Sequence, residues 1–442
     1  MTLNTRLRTL AEDLGTSYWF VPTLMALAAI GLAFLTLALD RSLNRGWVSD
    51  VGLFYSGSAE GARLLLSTVA SSMITVAGVV FSITIVALTL ASSQFGPHIL
   101  RGFMRDVGSK LVLGTFISTY IYCLLVLRTV RGEAGATFVP NISVTVGVAL
   151  AIAGLGMIIY FIHHTATLIQ ADSIIAAIGD DLSDSIKVLF PEPLGIGGDP
   201  PAGEPEPPPA SEGDASAVSA ARAGYIQAVD AGALLALARE GDLFVRMLLR
   251  PGRFVTPGCP LMQVSPAARL DERLAERLRR TVFIGSRRTP VQDLEFALQQ
   301  LAQMAVRALS PGINDPYTAM RCIDQLCEGL CLLASRALPH PCRYDAEGRM
   351  RIVAAPPTFD DALVASLDQI RPYSGSSLIA ARLLNAIRLI ARHLRREDDR
   401  GALRRQARRV EEQTLLAAQT QDDREQVQRG LREALAALEP RR

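Results

Sequence analysis

From Leu64 to Phe95 no side chain carries a charge. About 20 apolar residues suffice to cross the ~30 Å hydrocarbon core of a bilayer. The run therefore predicts a transmembrane helix that projects beyond the membrane. Three shorter uncharged segments accompany it: Tyr18 to Leu39, Leu111 to Leu127 and Ile142 to Ile162. All four fall in the first 170 residues, which accounts for a chain that is 49% hydrophobic with a mean hydropathy of +0.25. A purely soluble enzyme is excluded. The expected fold is an α-helical membrane protein with four transmembrane helices plus a mixed α/β soluble C-terminal region, a small β module followed by a helical domain. Its expected limits are 1–170 for the spans, 171–190 for an amphipathic helix, 191–215 for a Pro/Gly-rich linker, 224–285 for the β module, 289–395 for the helical domain and 396–442 for a charged helical tail.

With 45 basic against 43 acidic residues the net charge is +2, which supplies no field for gathering nucleic acid, and none is expected as a partner. Membrane lipid is. The basic residues flanking the spans tie: Arg6, Arg8, Arg101, Arg105 and Lys110 on one side face Arg41, Arg45, Arg63, Arg128 and Arg131 on the other. Five of the six cysteines (Cys259, Cys322, Cys327, Cys331 and Cys342) lie in the soluble part without regular spacing. They suggest thiols in a reducing compartment, which puts the termini and the soluble region in the cytoplasm. Cys327 and Cys331 share a helix face but do not make a zinc site, and no metal or other cofactor is expected.

Within the second span, Ser67, Ser71, Thr75, Gly78, Ser82, Thr89 and Ser93 recur at three, four or seven residues and form one small, polar stripe on a helix. Two interpretations stand. The stripe is tight helix packing, with hydroxyls bonding across a contact or back to their own carbonyls, or it is a pore lining that several subunits turn toward a shared aqueous axis. Gly96 and Pro97, before His98, should end this helix. His163 and His164 close the fourth span; adjacent histidines point apart on a helix, so they read as interfacial residues rather than ligands.

From Ala171, Ile174, Ile175, Ile178, Leu182, Ile186 and Leu189 recur at helical spacing. Pro191 to Ala215 holds eight prolines and five glycines and predicts an exposed spacer. Strands are expected at Tyr225–Val229, Leu243–Leu249, Arg253–Val255 and Pro260–Val264, with a helix over Ala231–Arg239. Thr289, Pro290 and Gln292 resemble a capping box opening a helix through Ala308.

Asp315 and Pro316 should open the next helix, and the join between the two contains the most distinctive residues of the soluble part: Arg307, Ser310, Pro311, Gly312, Asn314, Asp315 and Pro316. Asn314 and Asp315 can hold a cation or ligand, with Arg307 and Arg321 nearby; alternatively Asp315 caps the helix and Asn314 shapes the turn. In the tail, Arg404, Arg405, Arg408 and Arg409 lie among acidic residues, which favours intrahelical pairing and a solvated face. Val427, Leu431, Leu435 and Leu438 offer a stripe for self-association. No nucleotide-binding or hydrolase signature is present.

SSMITVAGVVFSITIVALTLASSQFGP in the second span, GYIQAVD at the start of the soluble module, and GSRRTPVQDLEFALQQLAQMAVRALSPGINDPYTA beyond it resemble the DUF2254 family of bacterial membrane proteins. The resemblance covers nearly the whole chain except the proline-rich insert and the charged tail. It implies a four-span bacterial inner-membrane protein with a characteristic soluble region, and it brings no catalytic residues. The leading expectation is a homo-oligomeric channel for small inorganic ions, its second span lining the path and its cytoplasmic part gating or sensing. The alternatives are a non-conducting scaffold and, less favoured, a membrane enzyme acting at the Asn314–Asp315 turn.

Overall fold

The structure is a computed structural model describing residues 17–42, 55–95, 106–131, 138–190, 214–418 and 420–439. The expected turn at Gly96–His98, the flanking Arg6, Arg8, Arg45, Arg101 and Arg105, and nearly all of the proline-rich spacer lie outside the described residues. The chain divides between Ile174 and Ile175 into two compact units.

In the first unit, α1 (Phe20–Ser42), α2 (Ala59–Phe95), α3 (Val107–Leu127) and α4 (Asn141–Leu168) are the four helices long and apolar enough to cross a membrane. At 1.5 Å per residue, the 37 residues of α2 extend about 55 Å, well past the ~30 Å core. α3 packs against each of the other three, which is why Val112, Phe116, Tyr122 and Val126 are fully buried. The contact between α2 and α4 uses knobs over glycines: Leu66 lies against Gly147 and Met73 against Gly154, where an added methyl would come within 3.1 and 3.2 Å of them. At the opposite end of the bundle from Tyr18, Thr36 Oγ1 meets Tyr122 Oη at 3.0 Å, and that phenol donates to Ser143 O at 3.0 Å.

α3 starts at Val107 rather than at Leu111, because Asp106 caps it by accepting from Ser109 N at 2.8 Å and Gly108 N at 3.3 Å. Lys110 is thereby drawn into the helix, 1% exposed with its ammonium 5.9 Å from the centre of the Tyr18 ring.

From Ile175 onward α5 (Ala171–Leu189) belongs to the second unit, and it buries Ile175, Ile178, Leu182 and Ile186, as its periodicity requires. The mixed region then runs β1 (Ser216–Ser219), β2 (Gly224–Val229), α6 (Ala231–Glu240), β3 (Phe244–Met247), β4 (Phe254–Val255), β5 (Pro260–Ser265), α7 (Glu272–Arg279), β6 (Val282–Gly285), α8 (Leu294–Ala308), α9 (Pro316–Ala334), β7 (Cys342–Tyr344) and β8 (Met350–Val353). It closes with α10 (Phe359–Ala365), α11 (Leu367–Ile370), α12 (Ser377–Ala391), α13 (Glu397–Ala417) and α14 (Gln421–Ala437). One sheet has the order β1-β5-β3-β8-β7, the other β4-β2-β6. Pairing is antiparallel except between β3 and β8, where Val245 faces Ile352 in a parallel pair. Ile226, Leu234, Val245, Leu261, Met262 and Leu278 form a core common to strands and short helices, each contributing about 1.5–3 kcal/mol by burial.

Three expectations are corrected here. Thr289 and Gln292 do not cap α8; Asp293 does, accepting from Phe296 N at 3.2 Å. Gln292 instead lies along β2 as a surrogate strand partner, its Oε1 accepting from Val229 N at 2.9 Å and its Nε2 donating to Val229 O at 3.2 Å, while Thr289 Oγ1 donates to Gln227 O. The tail arginines keep the expected solvated face, Arg405, Arg408 and Arg409 being exposed, but the described ion pairs reach other elements rather than their own helix: Arg405 with Asp360 at 3.1 Å and Arg409 with Asp368 at 3.8 Å. Both acids belong to α10 and α11, so α13 is docked, and Leu403, Ala407 and Val410 are buried beneath it. Finally, Val427, Leu431 and Leu438 are buried inside the subunit, with Gly430 of the same helix against Leu384 of α12, so that stripe serves tertiary packing and not self-association.

Candidate functional site

The polar stripe of α2 lies outside the four-helix contact. Ala62, Leu66, Ala70, Met73, Ala77, Val80, Ala87 and Ala91 form the buried ridge of this helix. At 100° per residue the stripe centres about 160° away from that ridge. Ser71, Thr75, Gly78, Ser82, Thr89 and Ser93 are accordingly exposed and Ser67 is half-buried. From Ser67 to Ser93 they extend about 39 Å along the axis, enough to cross the hydrocarbon core.

Each hydroxyl with a described bond donates back to its own helix: Ser67 Oγ to Leu64 O (3.0 Å), Thr75 Oγ1 to Ser71 O (2.8 Å), Ser82 Oγ to Gly78 O (2.9 Å), Thr89 Oγ1 to Ile85 O (2.8 Å) and Ser93 Oγ to Leu90 O (2.8 Å). A hydroxyl has one proton and two acceptor lone pairs. With the proton committed inward, the stripe presents a column of acceptor oxygens outward.

A second cluster joins residues far apart in sequence. At the end of the bundle where α3 begins and α4 ends, His164 Nε2 lies 2.9 Å from Asp106 Oδ1, and the Tyr160 ring stacks on the imidazole with centroids 5.1 Å apart. Gly108 makes the room, since a methyl there would sit 2.5 Å from His164 Nε2. Burial works against ionisation of Asp106, but hydrogen bonds from Ser109 and His164 outweigh it and hold the carboxyl below the ordinary carboxylate range. An ionised carboxylate only accepts, so Nε2 is the donor. An apolar slot of about 230 Å³ opens beside the pair, bounded by Tyr18, Thr84, Leu88, Ser109, Thr165 and Leu168. The buried Thr165 Oγ1 has no hydrogen-bond partner among the described residues. The members of the pair are 58 residues apart and neither belongs to a motif, so no local pattern in the sequence joins them.

The turn between α8 and α9 gathers Arg307, Ser310, Pro311, Gly312, Asn314, Asp315 and Pro316 as a hairpin tip. Asn314 adopts φ 50°, the left-handed conformation that asparagine tolerates in turns, and Asp315 N donates to Ala308 O at 2.8 Å. Both oxygens of Asp315 accept from Thr318, its N–H at 3.1 Å and its hydroxyl at 2.6 Å. The hydroxyl bond, assisted by the backbone, lowers the carboxyl below its ordinary range despite partial burial. Pro316 occupies the first turn of α9. This is the geometry of a helix cap. Among the described residues, no three His, Cys, Asp or Glu side chains converge as a metal site would require. Cys327 is buried, and its contact with Cys331 together with that burial pushes its thiol upward, away from the reactive thiolate.

The sequence matches, over residues 15–388, a family described as a predicted membrane protein, DUF2254. The chain belongs to the DUF2254 family. An uncharacterized protein of Mycobacterium tuberculosis strain H37Rv is 33% identical over 395 residues, covering 88% of this chain and 74% of its own. An uncharacterized protein of Mycobacterium bovis aligns with the same identity and coverage. No solved structure matches the chain. The DUF2254 chain is thus a multi-pass membrane protein with bacterial relatives, carrying a mixed α/β region after its four apolar helices.

Proposed function

We propose that this DUF2254 protein is a homo-oligomeric channel of the bacterial inner membrane, several copies turning the α2 stripe toward a common path for small inorganic ions. The observation that carries this reading is the position of the stripe: it lies on the face of α2 opposite the ridge that packs inside the subunit. The outward lone pairs of Ser67, Thr75, Ser82 and Thr89 are suited to accept from water or to face a cation stripped of part of its hydration. The soluble region is proposed to gate or sense in the cytoplasm.

The back-bonded hydroxyls also favour a second reading. Satisfied within their own helix, they allow copies to pack closely through the same face without leaving polar groups bare in hydrocarbon, as a non-conducting scaffold would. Single-channel recording of purified protein in planar bilayers separates the two, with Ser82→Leu and Thr89→Leu incorporated at matched density. Currents that fall in variants with unchanged subunit number support the channel. Unchanged currents in assembled variants overturn the lining assignment, and loss of assembly with no wild-type current supports the scaffold.

A further inference from the structure

The end of the bundle opposite the Asp106–His164 pair holds a recess of about 580 Å³ that the channel reading does not use. Its inner wall is apolar and comes from α1 and α3: Phe34, Leu37 and Leu125. Its outer rim carries three guanidinium groups, those of Arg41, Arg128 and Arg131. Arg41 is in the last turn of α1, Arg128 caps the end of α3 and Arg131 follows it by three residues, so all three lie at the ends of apolar helices. The two-residue bridge between Arg131 and Phe138 fixes the third side of the rim, with hydrogen bonds of 3.1 and 3.2 Å, and places the Phe138 ring 6.0 Å from the Arg41 guanidinium.

No ion pair involves these three arginines among the described residues. Asp40, an acid beside the rim among the described residues, is committed elsewhere: it accepts from Ile142 N, Ser143 N and Ser143 Oγ at 2.9, 2.9 and 2.6 Å. Arg63, at the same end of the bundle, is likewise engaged, donating to Val130 O at 2.9 Å. Among the described residues the rim thus sets three arginines beside an apolar wall at one end of the four apolar helices. Phe34 precedes Arg41 by seven residues, which puts it about 10 Å deeper along α1. That is the separation between a lipid phosphate and the upper acyl chain.

We propose that this recess binds an anionic glycerophospholipid, its phosphodiester held by Arg41, Arg128 and Arg131 and its acyl chain laid along Phe34, Leu37 and Leu125. Guanidinium forks match phosphate oxygens and are readily desolvated, which suits an interfacial site better than ammonium groups would. The rim selects charge and the wall selects an amphiphile; a free phosphate ester satisfies only the first.

The test is native mass spectrometry of the full-length protein released from nanodiscs holding equal phosphatidylglycerol and phosphatidylcholine, with glycerol 3-phosphate added as competitor. Wild type should retain phosphatidylglycerol in preference to phosphatidylcholine and keep it against millimolar-range competitor. With roughly 1 kcal/mol per basic group at an anionic surface, the triple variant R41Q/R128Q/R131Q should hold it about 100-fold more weakly. Each single Arg→Gln variant should lose about fivefold, which keeps the test decisive if the triple variant does not fold. Leu125→Asn should weaken lipid retention while keeping the preference for phosphatidylglycerol over phosphatidylcholine, because the arginine rim is intact. Equal retention of both lipids by wild type, or retention unaffected in every arginine variant, overturns the site. Displacement by glycerol 3-phosphate as effective as by lipid overturns the lipid assignment in favour of a free phosphate ester.

Discussion

Asp40, near the end of α1, serves as the N-terminal cap of α4 through Ser143, whose hydroxyl donates to it at 2.6 Å while the amides of Ile142 and Ser143 donate at 2.9 Å. Pro140, which stands at the cap position itself, makes no side-chain cap bond. The start of one span is therefore terminated by the end of another.

Replacing Asp40 with alanine should lower the stability of the helix bundle by about 1–2 kcal/mol, the usual range for a lost cap. Asp40→Asn should recover part of it, since the amide oxygen still accepts. Thermal unfolding of the purified protein in detergent measures both.

The two faces of α2 should respond differently. Met73→Ala opens a cavity beside Gly154 and should destabilise the subunit by about 2–5 kcal/mol. Ser82→Ala, on the exposed face, should change it by less than about 0.5 kcal/mol. Comparable losses in the two variants would contradict the assignment of the packing face.

Asp293 should matter far more than Thr289. It caps α8, is 4% exposed, and receives Arg288 through Nε at 2.7 Å and Nη2 at 2.9 Å. Asp293→Ala strands a guanidinium that is itself largely covered and should destabilise the mixed α/β region by about 3 kcal/mol. Thr289→Ala should remain within about 0.5 kcal/mol of wild type. Denaturant unfolding of the full chain, followed by circular dichroism, distinguishes them.

Acid should release α10 from the Arg250 loop. Burial would raise the Asp361 carboxyl, but its hydrogen bond to Arg250 at 2.8 Å and those from Thr358 prevail and bring it down to about 2. A carboxylate depressed in the folded state contributes its full stabilisation above the unfolded value near 3.8 and loses it as pH falls toward 2. Wild type should therefore lose stability more steeply than Asp361→Asn between pH 4 and pH 2. Parallel acid-unfolding curves through that window would rule the coupling out.

What could be read from the sequence follows from locality. The absence of charge between Leu64 and Phe95 and the recurrence of Ile175, Leu182 and Ile186 are properties of single segments, and the helices lie there. Asp315 and Pro316 were legible as a helix start because a cap needs only its own next residues. Partners supplied by distant segments were not. Nothing near Gln292 indicates that its amide will border Val229, and a capping box has the same residues. The face on which Ser82 would lie depended on Gly147 and Gly154 accepting Leu66 and Met73 from another helix. The Asp106–His164 pair and the arginine rim arise only when separate spans are brought side by side.

The parallel pairing of Val245 with Ile352 sets an order of events during synthesis. When β1, β3 and β5 leave the ribosome, β3 already has one neighbour, but its other edge stays unpaired until α8, α9 and the β7–β8 hairpin have also emerged. Until then that edge is a template for any extended chain nearby. A nascent chain that has emerged only to a point between Asp315 and Cys342 would thus be adhesive, whereas one that has emerged past Val353 would carry a finished sheet.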